Sequence, residues 1–240
     1  MMRDLSIVFP AFNEERRLKT TFKELIKFKK KFKSKLEIIF VDDGSSDLTH
    51  KLINTFKKKS SKNCKIISIR IKKNMGKGYA LKLGIEKSSK TWILTTDVDL
   101  SVPLTQIIKL NNKKFLRNKN ILFGSRNLKN SKVNTRIHRY ALGKIFNFLI
   151  KLILDISIKD TQCGFKLYEK KIAKILFKEL KDYSFTHDLE IVILAKKKGI
   201  NIHEFPVTWN HKKGSKLNIF LDPFRMFFKI LLLRYYLLLN

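Results

Sequence analysis

The residues best suited to chemistry are Asp97 and Asp99, two carboxylates spaced two apart in Thr95-Thr96-Asp97-Val98-Asp99. They follow the apolar run Trp92-Ile93-Leu94, which reads as a buried strand. A strand sends residues i and i+2 to one face, so both carboxylates are expected to point together at the mouth of a sheet. Paired hard oxygens suit Mg²⁺ or Mn²⁺, ions that commonly bridge a few carboxylates to a diphosphate. Asp-x-Asp is common and often only ends a strand, so its neighbours must decide.

Those neighbours are set by a regular alternation over the first hundred residues. Leu5 to Phe9 reads as a strand, followed by a helix carrying Leu18, Phe22, Leu25, Ile26 and Phe32. Leu36 to Val41 is a second strand, followed by a helix with Leu48, Leu52, Ile53 and Phe56. Lys65 to Ile71 is a third, then a helix over Gly78 to Glu86, then the strand before Asp97. Such alternation predicts a mostly parallel sheet with helices on both faces. Ligands of open sheets bind beyond the carboxyl ends of the strands. Polar clusters fall at those ends: Pro10 to Glu15, Asp42 to Asp47, Asn74 to Gly78, and Asp97 to Asp99.

The second half is less regular. Asn120 to Phe123 reads as a strand closed by Gly124-Ser125-Arg126. Ala141 to Ile158 and Ile219 to Leu239 are dense in Leu, Ile and Phe but interrupted by charges, so each is expected to lie in a membrane interface rather than span it. An ordinary core helix is the alternative for the first. The formal net charge of +32 attracts polyanions such as nucleic acid, anionic lipid headgroups or nucleotide substrates. Acidic clusters at four strand ends would repel nucleic acid without a metal, so nucleic acid is not the expected partner. Cys64 and Cys163 lack a Cys-x-x-Cys spacing, which favours a reduced, cytosolic setting. The start Met1-Met2-Arg3-Asp4-Leu5 enters a strand at once, so no signal peptide is expected.

At the rim, Asp42 and Asp43 end a strand, and Gly44 with two serines turns into a helix capped by Ser46 or Asp47. A carboxylate there can accept from a nucleobase N–H or a ribose hydroxyl. Asn74-Met75-Gly76-Lys77-Gly78 reads as a phosphate cradle, with glycines for backbone approach and Lys77 for charge, yet it is not a Walker loop. No Gly-x-Gly-x-x-Gly follows the first strand. A nucleotide site is therefore expected without hydride transfer or ATP hydrolysis.

Val8-Phe9-Pro10-Ala11-Phe12-Asn13-Glu14, Val41 to Asp47, Asn74 to Gly78 and Asp97-Val98-Asp99 together resemble glycosyltransferase family two, inverting nucleotide-sugar enzymes of the GT-A fold. Gly124-Ser125-Arg126, Asp160-Thr161-Gln162-Cys163-Gly164-Phe165-Lys166-Leu167 and Gly214-Ser215-Lys216-Leu217 resemble its polyprenyl-phosphate branch, and the Asp160 run is most similar to dolichyl-phosphate glucosyltransferases. The resemblance implies an α/β GT-A catalytic domain over 1–218, Rossmann-like, with a nucleotide-sugar half at 1–101 and an acceptor half at 102–218. A membrane-associating amphipathic helix would follow at 219–240. It implies that Pro10, Phe12, Asn13, Glu14, Asp42, Asp43, Gly76, Lys77 and Asp97 hold the nucleotide sugar. Asp97, Asp99 and Asp188 would be catalytic, with Asp99 and Asp97 holding Mg²⁺ or Mn²⁺. Glu190, in the same His187-Asp188-Leu189-Glu190 motif, is as readily structural. Ser101 stands where the mannosyl branch has a metal-assisting Gln, so it is not expected to be a ligand.

Transfer to a lipid phosphate needs a stabilised leaving group and an anionic nucleophile. A phosphate monoester has its second pKa near ~6, so it needs no dedicated base. It does need a cationic cradle, for which Arg126, Arg139 and Lys216, with Gln162, are the expected residues. The implied partners are a nucleotide sugar, a polyprenyl or dolichyl phosphate and an anionic membrane surface, with the enzyme at the cytosolic face. A GDP-mannose-dependent enzyme and a soluble transferase acting on a sugar or polysaccharide remain open alternatives.

Overall fold

The computed structural model describes residues 2–110, 116, 120–134, 150, 152–154, 156–184, 186–212, 230–232 and 234. Arg139, Lys216 and most of the segments Ala141 to Ile158 and Ile219 to Leu239 lie outside the described residues. Among the described residues no helix is long and apolar enough to cross a membrane.

The chain opens with β1 (Asp4–Ala11), α1 (Glu15–Lys31), β2 (Lys35–Asp42), α2 (Thr49–Lys57), β3 (Cys64–Arg70), α3 (Lys77–Lys87) and β4 (Trp92–Thr95). It continues with α4 (Gln106–Leu110), β5 (Ile121–Ser125), β6 (Lys132–Asn134), β7 (Lys166–Glu169), α5 (Lys170–Glu179), α6 (His187–Lys197), β8 (Ile202–Pro206) and β9 (Thr208–Asn210). Seven strands form one sheet in the order β3-β2-β1-β4-β7-β5-β8, while β6 and β9 pair separately. Only β7 runs against its neighbours, antiparallel to both β4 and β5. The remaining pairings in the large sheet are parallel.

Strand alternation sorts the apolar side chains into two cores. Leu5, Ile7 and Phe9 of β1, with Leu36, Ile38 and Phe40 of β2, face a layer built by Leu18, Leu25 and Phe28 of α1 and by Ile53 and Phe56 of α2. Val8, Ile39 and Val41 point the other way, onto Ala80, Leu81 and Ile85 of α3. That second core continues through Ala173 and Leu176 of α5 and Leu189, Ile191 and Val192 of α6. Burial on both faces explains why these strands read as nearly continuous apolar runs.

The expectation that Asp97 and Asp99 share a strand face is not met. β4 stops at Thr95, and Asp97 to Leu100 form a turn in which the Leu100 N–H donates to the Asp97 carbonyl at 3.1 Å. Leu100 adopts φ 51°, a left-handed conformation that costs a side-chain-bearing residue about 1–2 kcal/mol. Both carboxylates still stand at the carboxyl edge of the sheet, placed there by a turn instead of by strand periodicity.

Candidate active site

The loops after β1 and β2 are stitched together by amide, hydroxyl and carboxylate side chains that accept backbone N–H groups. The Asn13 N–H donates to Ser45 Oγ at 2.9 Å, and Asn13 Oδ1 accepts from the Ser46 N–H at 2.9 Å. The Glu14 N–H reaches Thr49 Oγ1 at 2.7 Å, while its carboxylate takes Arg17 Nη1 at 3.1 Å. Asn13 has φ 50°, which an Asn tolerates better than most residues. Pro10 pairs with Val41 one residue before β1 ends at Ala11, and Phe12 follows the strand half-buried.

Asp42 and Asp43 serve different ends. The Asp42 carboxylate is completely buried: Oδ1 accepts from the Ser45 N–H at 3.0 Å, and Oδ2 lies 3.3 Å from His50 Nδ1 and 3.6 Å from Arg70 Nε. The two Asp43 oxygens accept from the Met75 and Gly76 N–H groups, each at 2.8 Å. Burial outweighs those two bonds and raises the Asp43 carboxyl above its ordinary value. Asp43 thereby holds the loop that opens α3.

The glycines of that loop let two backbone segments meet. Gly76 has φ 102°, and a Cβ there would overlap the Tyr183 carbonyl. A Cβ on Gly78 would come within 2.7 Å of the Asp182 carbonyl and 2.8 Å of His187 Cβ. The Gly78 N–H donates to the Tyr183 carbonyl at 2.9 Å. Their missing side chains let the α3 loop touch the segment before α6, which ties the two halves of the chain together. Lys77 is thereby directed at Asp97, with Nζ 2.6 Å from Oδ1.

Around Asp97 the polar groups alternate in sign. On its far side a Cβ at Gly164 would overlap Oδ2, so only glycine lets the Asp160–Leu167 run pass so close. Two residues later Lys166 starts β7, with Nζ 2.8 Å from Asp188 Oδ1, and His187 Nε2 is 3.1 Å from the same oxygen. Burial works against the charged form of Asp97, but Lys77, then Lys166, outweigh it and lower its carboxyl below the ordinary range. Burial likewise opposes an ionised Asp188, and His187, Lys166 and Lys77 together hold its carboxyl far below that range. Asp99 stands apart, its Oδ1 accepting from the Ser101 N–H at 2.9 Å. Glu190 receives the Lys181 and Asp182 N–H groups at 3.1 and 2.6 Å, a scaffolding role.

Arg126 is less available to a phosphate than its sequence context suggests. Its Nε and Nη2 grip the buried Asp160 at 2.7 and 2.8 Å, its backbone N–H adds a third bond, and Trp209 covers the guanidinium at 5.7 Å. Nη1 is the guanidinium nitrogen that Asp160 does not engage. Nearby, Gln162 Nε2 is buried with no hydrogen-bond partner among the described residues. Lys166 is the site residue that sequence reasoning misses; its only signal is a lysine inside the apolar run Phe165-Lys166-Leu167.

Residues 6–177 match the family model for glycosyl transferase family 2. The chain belongs to that family. This glycosyltransferase is 35% identical to a dolichyl-phosphate beta-glucosyltransferase of Dictyostelium discoideum over 96% of this chain and 74% of the relative. It is 33% identical to the human dolichyl-phosphate beta-glucosyltransferase over 90% of this chain and 70% of that one. Among solved structures it is similar to glucosyl-3-phosphoglycerate synthase from Mycobacterium tuberculosis in complex with Mn²⁺ and UDP-glucose. The TM-score there is 0.64 at 16% identity, covering 97% of this chain and 79% of the other. That likeness carries the GT-A-like fold of the glycosyltransferase.

The donor set of the glycosyltransferase fits a divalent ion shared with substrate. Mg²⁺ usually takes one or two carboxylates and fills its remaining positions with water and substrate phosphates. Asp97 keeps 42% of its side-chain surface exposed, and no described hydrogen bond engages Asp99 Oδ2. Among the described residues no group of three or more His, Cys, Asp or Glu could hold a metal without substrate.

Proposed function

We propose that the enzyme transfers glucose from UDP-glucose to dolichyl phosphate or a related polyprenyl phosphate, with inversion, at the cytosolic face of a membrane. The observation that carries this reading is identity above 30% to dolichyl-phosphate beta-glucosyltransferases along 90% or more of the chain. The Asp160–Leu167 run, most like those enzymes in sequence, passes directly against Asp97 and Asp188.

An acceptor phosphate oxygen attacks the anomeric carbon as the bond from that carbon to the diphosphate breaks, and UDP departs. Mg²⁺ or Mn²⁺, held by Asp97 and Asp99, would neutralise charge developing on the leaving diphosphate. Lys77 adds a second positive group at the same carboxylate and can turn to the diphosphate. The β1 and β2 loops, with Pro10, Phe12, Asn13, Glu14, Asp42 and Asp43, form the wall that receives the nucleotide, and Gly76 sets the course of the Lys77 loop. Arg126 Nη1 and the Gln162 amide, joined by Arg139 and Lys216, receive the lipid phosphate. Asp188 is aimed at the sugar or acceptor. Its neighbouring positive groups make it a poor proton acceptor, which suits a nucleophile that arrives already ionised.

Residues 219–240 are proposed to lie in the membrane interface, helped by 141–158, with Arg225, Lys229 and Arg234 reaching the headgroups. Basic groups near an anionic leaflet contribute on the order of 1 kcal/mol each, so high salt should weaken binding without abolishing it. Radiolabel transfer to polyprenyl phosphate from UDP-glucose and from GDP-mannose, with Mg²⁺ or Mn²⁺, tests the reaction. Glucose transfer is expected, and preferential mannose transfer would move the chain to the mannosyl branch. A chain ending at Leu217 should bind UDP yet fail to float with anionic liposomes; flotation equal to the full chain would refute the anchoring role.

A further inference from the structure

Lys166 poses a physical problem. It is 1% exposed at the start of a strand in the interior of the sheet, where an ammonium is expensive unless paired. Its Nζ meets Asp188 Oδ1 at 2.8 Å and lies 4.9 Å from the centre of the Phe123 ring. No well-aligned hydrogen bond completes its shell among the described residues. His187 Nδ1 faces the Ser184 carbonyl at 2.7 Å, and a carbonyl can only accept, so Nδ1 donates to it. That contact turns Nε2 toward the same Asp188 Oδ1. Two groups therefore converge on one carboxylate oxygen. Among the described residues no hydrogen bond or ion pair engages the other, Oδ2. Gly164, two residues before Lys166, lies against Asp97 Oδ2, so one short segment touches both Asp97 and Asp188.

We propose that Lys166 is a positioning residue for glycosyl transfer, fixing Asp188 through Oδ1 so that Oδ2 is presented to the sugar or phosphate entering beside Asp97. The inference rests on the reaction proposed above. Lys166 is too buried to touch substrate itself and acts through Asp188. β7 is the means: its antiparallel insertion next to β4 carries Lys166 under α6, and Gly164 clears the approach to Asp97.

The test is a double-mutant cycle of Lys166→Met and Asp188→Asn, read by steady-state transfer from UDP-glucose to polyprenyl phosphate and by UDP calorimetry. Lys166→Met should lower kcat about a hundred-fold, as misplacing a reacting group by ~1 Å can, with KM for UDP-glucose little changed. Lys166→Arg should recover part of that loss. In the Asp188→Asn background, Lys166→Met should cause no further loss. Losses that multiply, or a Lys166→Met enzyme within about two-fold of wild type, would overturn the proposal. If the single Lys166→Met protein fails to bind UDP, the paired variant decides, because it buries no uncompensated charge. A wild-type enzyme that prefers another donor refutes the proposed reaction but leaves the cycle measurable with that donor.

Discussion

Two groups of carboxylates border the candidate site, and they are held by opposite means. In the loop after β2, Asp43 takes two backbone N–H groups and has a raised pKa. Around β7, Asp97, Asp160 and Asp188 each face a lysine or arginine, and all three are lowered. Backbone donors fix a carboxylate's place without committing its charge. Buried positive groups commit the charge and make the fold depend on it. The Asp43 loop is thus held by shape, and the surroundings of β7 by a fixed electrostatic pattern.

That contrast breaks most visibly at Asp160. Asp160→Ala leaves Arg126 enclosed without its partner and should cost about 3–5 kcal/mol of stability in urea unfolding. A loss under 1 kcal/mol would mean that solvent already reaches the pair. Next in size, Asp99→Ala should keep the melting temperature within a few degrees while divalent-dependent transfer falls about 10²–10³-fold. Full activity across a Mn²⁺ titration would remove Asp99 from the metal site. In the loop after β2, Asp43→Ala should cost less, about 1–3 kcal/mol for two backbone donors left unpaired, with weaker UDP binding by calorimetry.

The smallest effect is expected from mild acid. Asp97, Asp160 and Asp188 have folded values below their unfolded ones, so their contribution is complete above the unfolded value of about 3.9. It is lost as pH falls toward the folded values. Asp43 has the opposite sign: its raised folded value favours the protonated state, so its contribution declines as pH rises through that value. Stability should stay nearly flat from pH 7 to 5 and drop below about pH 4. A drop already between pH 7 and 5 would show that the Asp97, Asp160 and Asp188 pairs are not the controlling groups.

The same contrast marks what a sequence can reveal. β1 to β4 and the helices among them are legible within about two residues, because burial on both faces leaves apolar runs and the turns between them are short and polar. β7 is not legible: it has four residues, begins with a lysine, and finds partners about seventy positions away in β4 and more than forty away in β5. In a chain with 52 Lys and Arg, a single buried lysine carries no local mark. Gly76 and Gly78 are visible as special, but their reason is Tyr183 and Asp182, more than a hundred residues downstream. Arg126 is visible as a phosphate-binding type, whereas its bond to Asp160 emerges only when β5 and the run before β7 are brought together.

The placement of β7 also governs how the polypeptide comes off the ribosome. When residues 1–101 have emerged, β4 presents an open edge, since its outer partner is not made until about residue 169. An unpaired apolar edge is a template for association with other chains. The N-terminal hundred residues, expressed alone, should therefore be collected by chaperones or aggregate, even though they hold four of the seven strands of the sheet. The sheet of this enzyme is thus completed late: β7 covers the open edge of β4 and brings Gly164 to Asp97, and Lys166 meets Asp188 once α6 has formed.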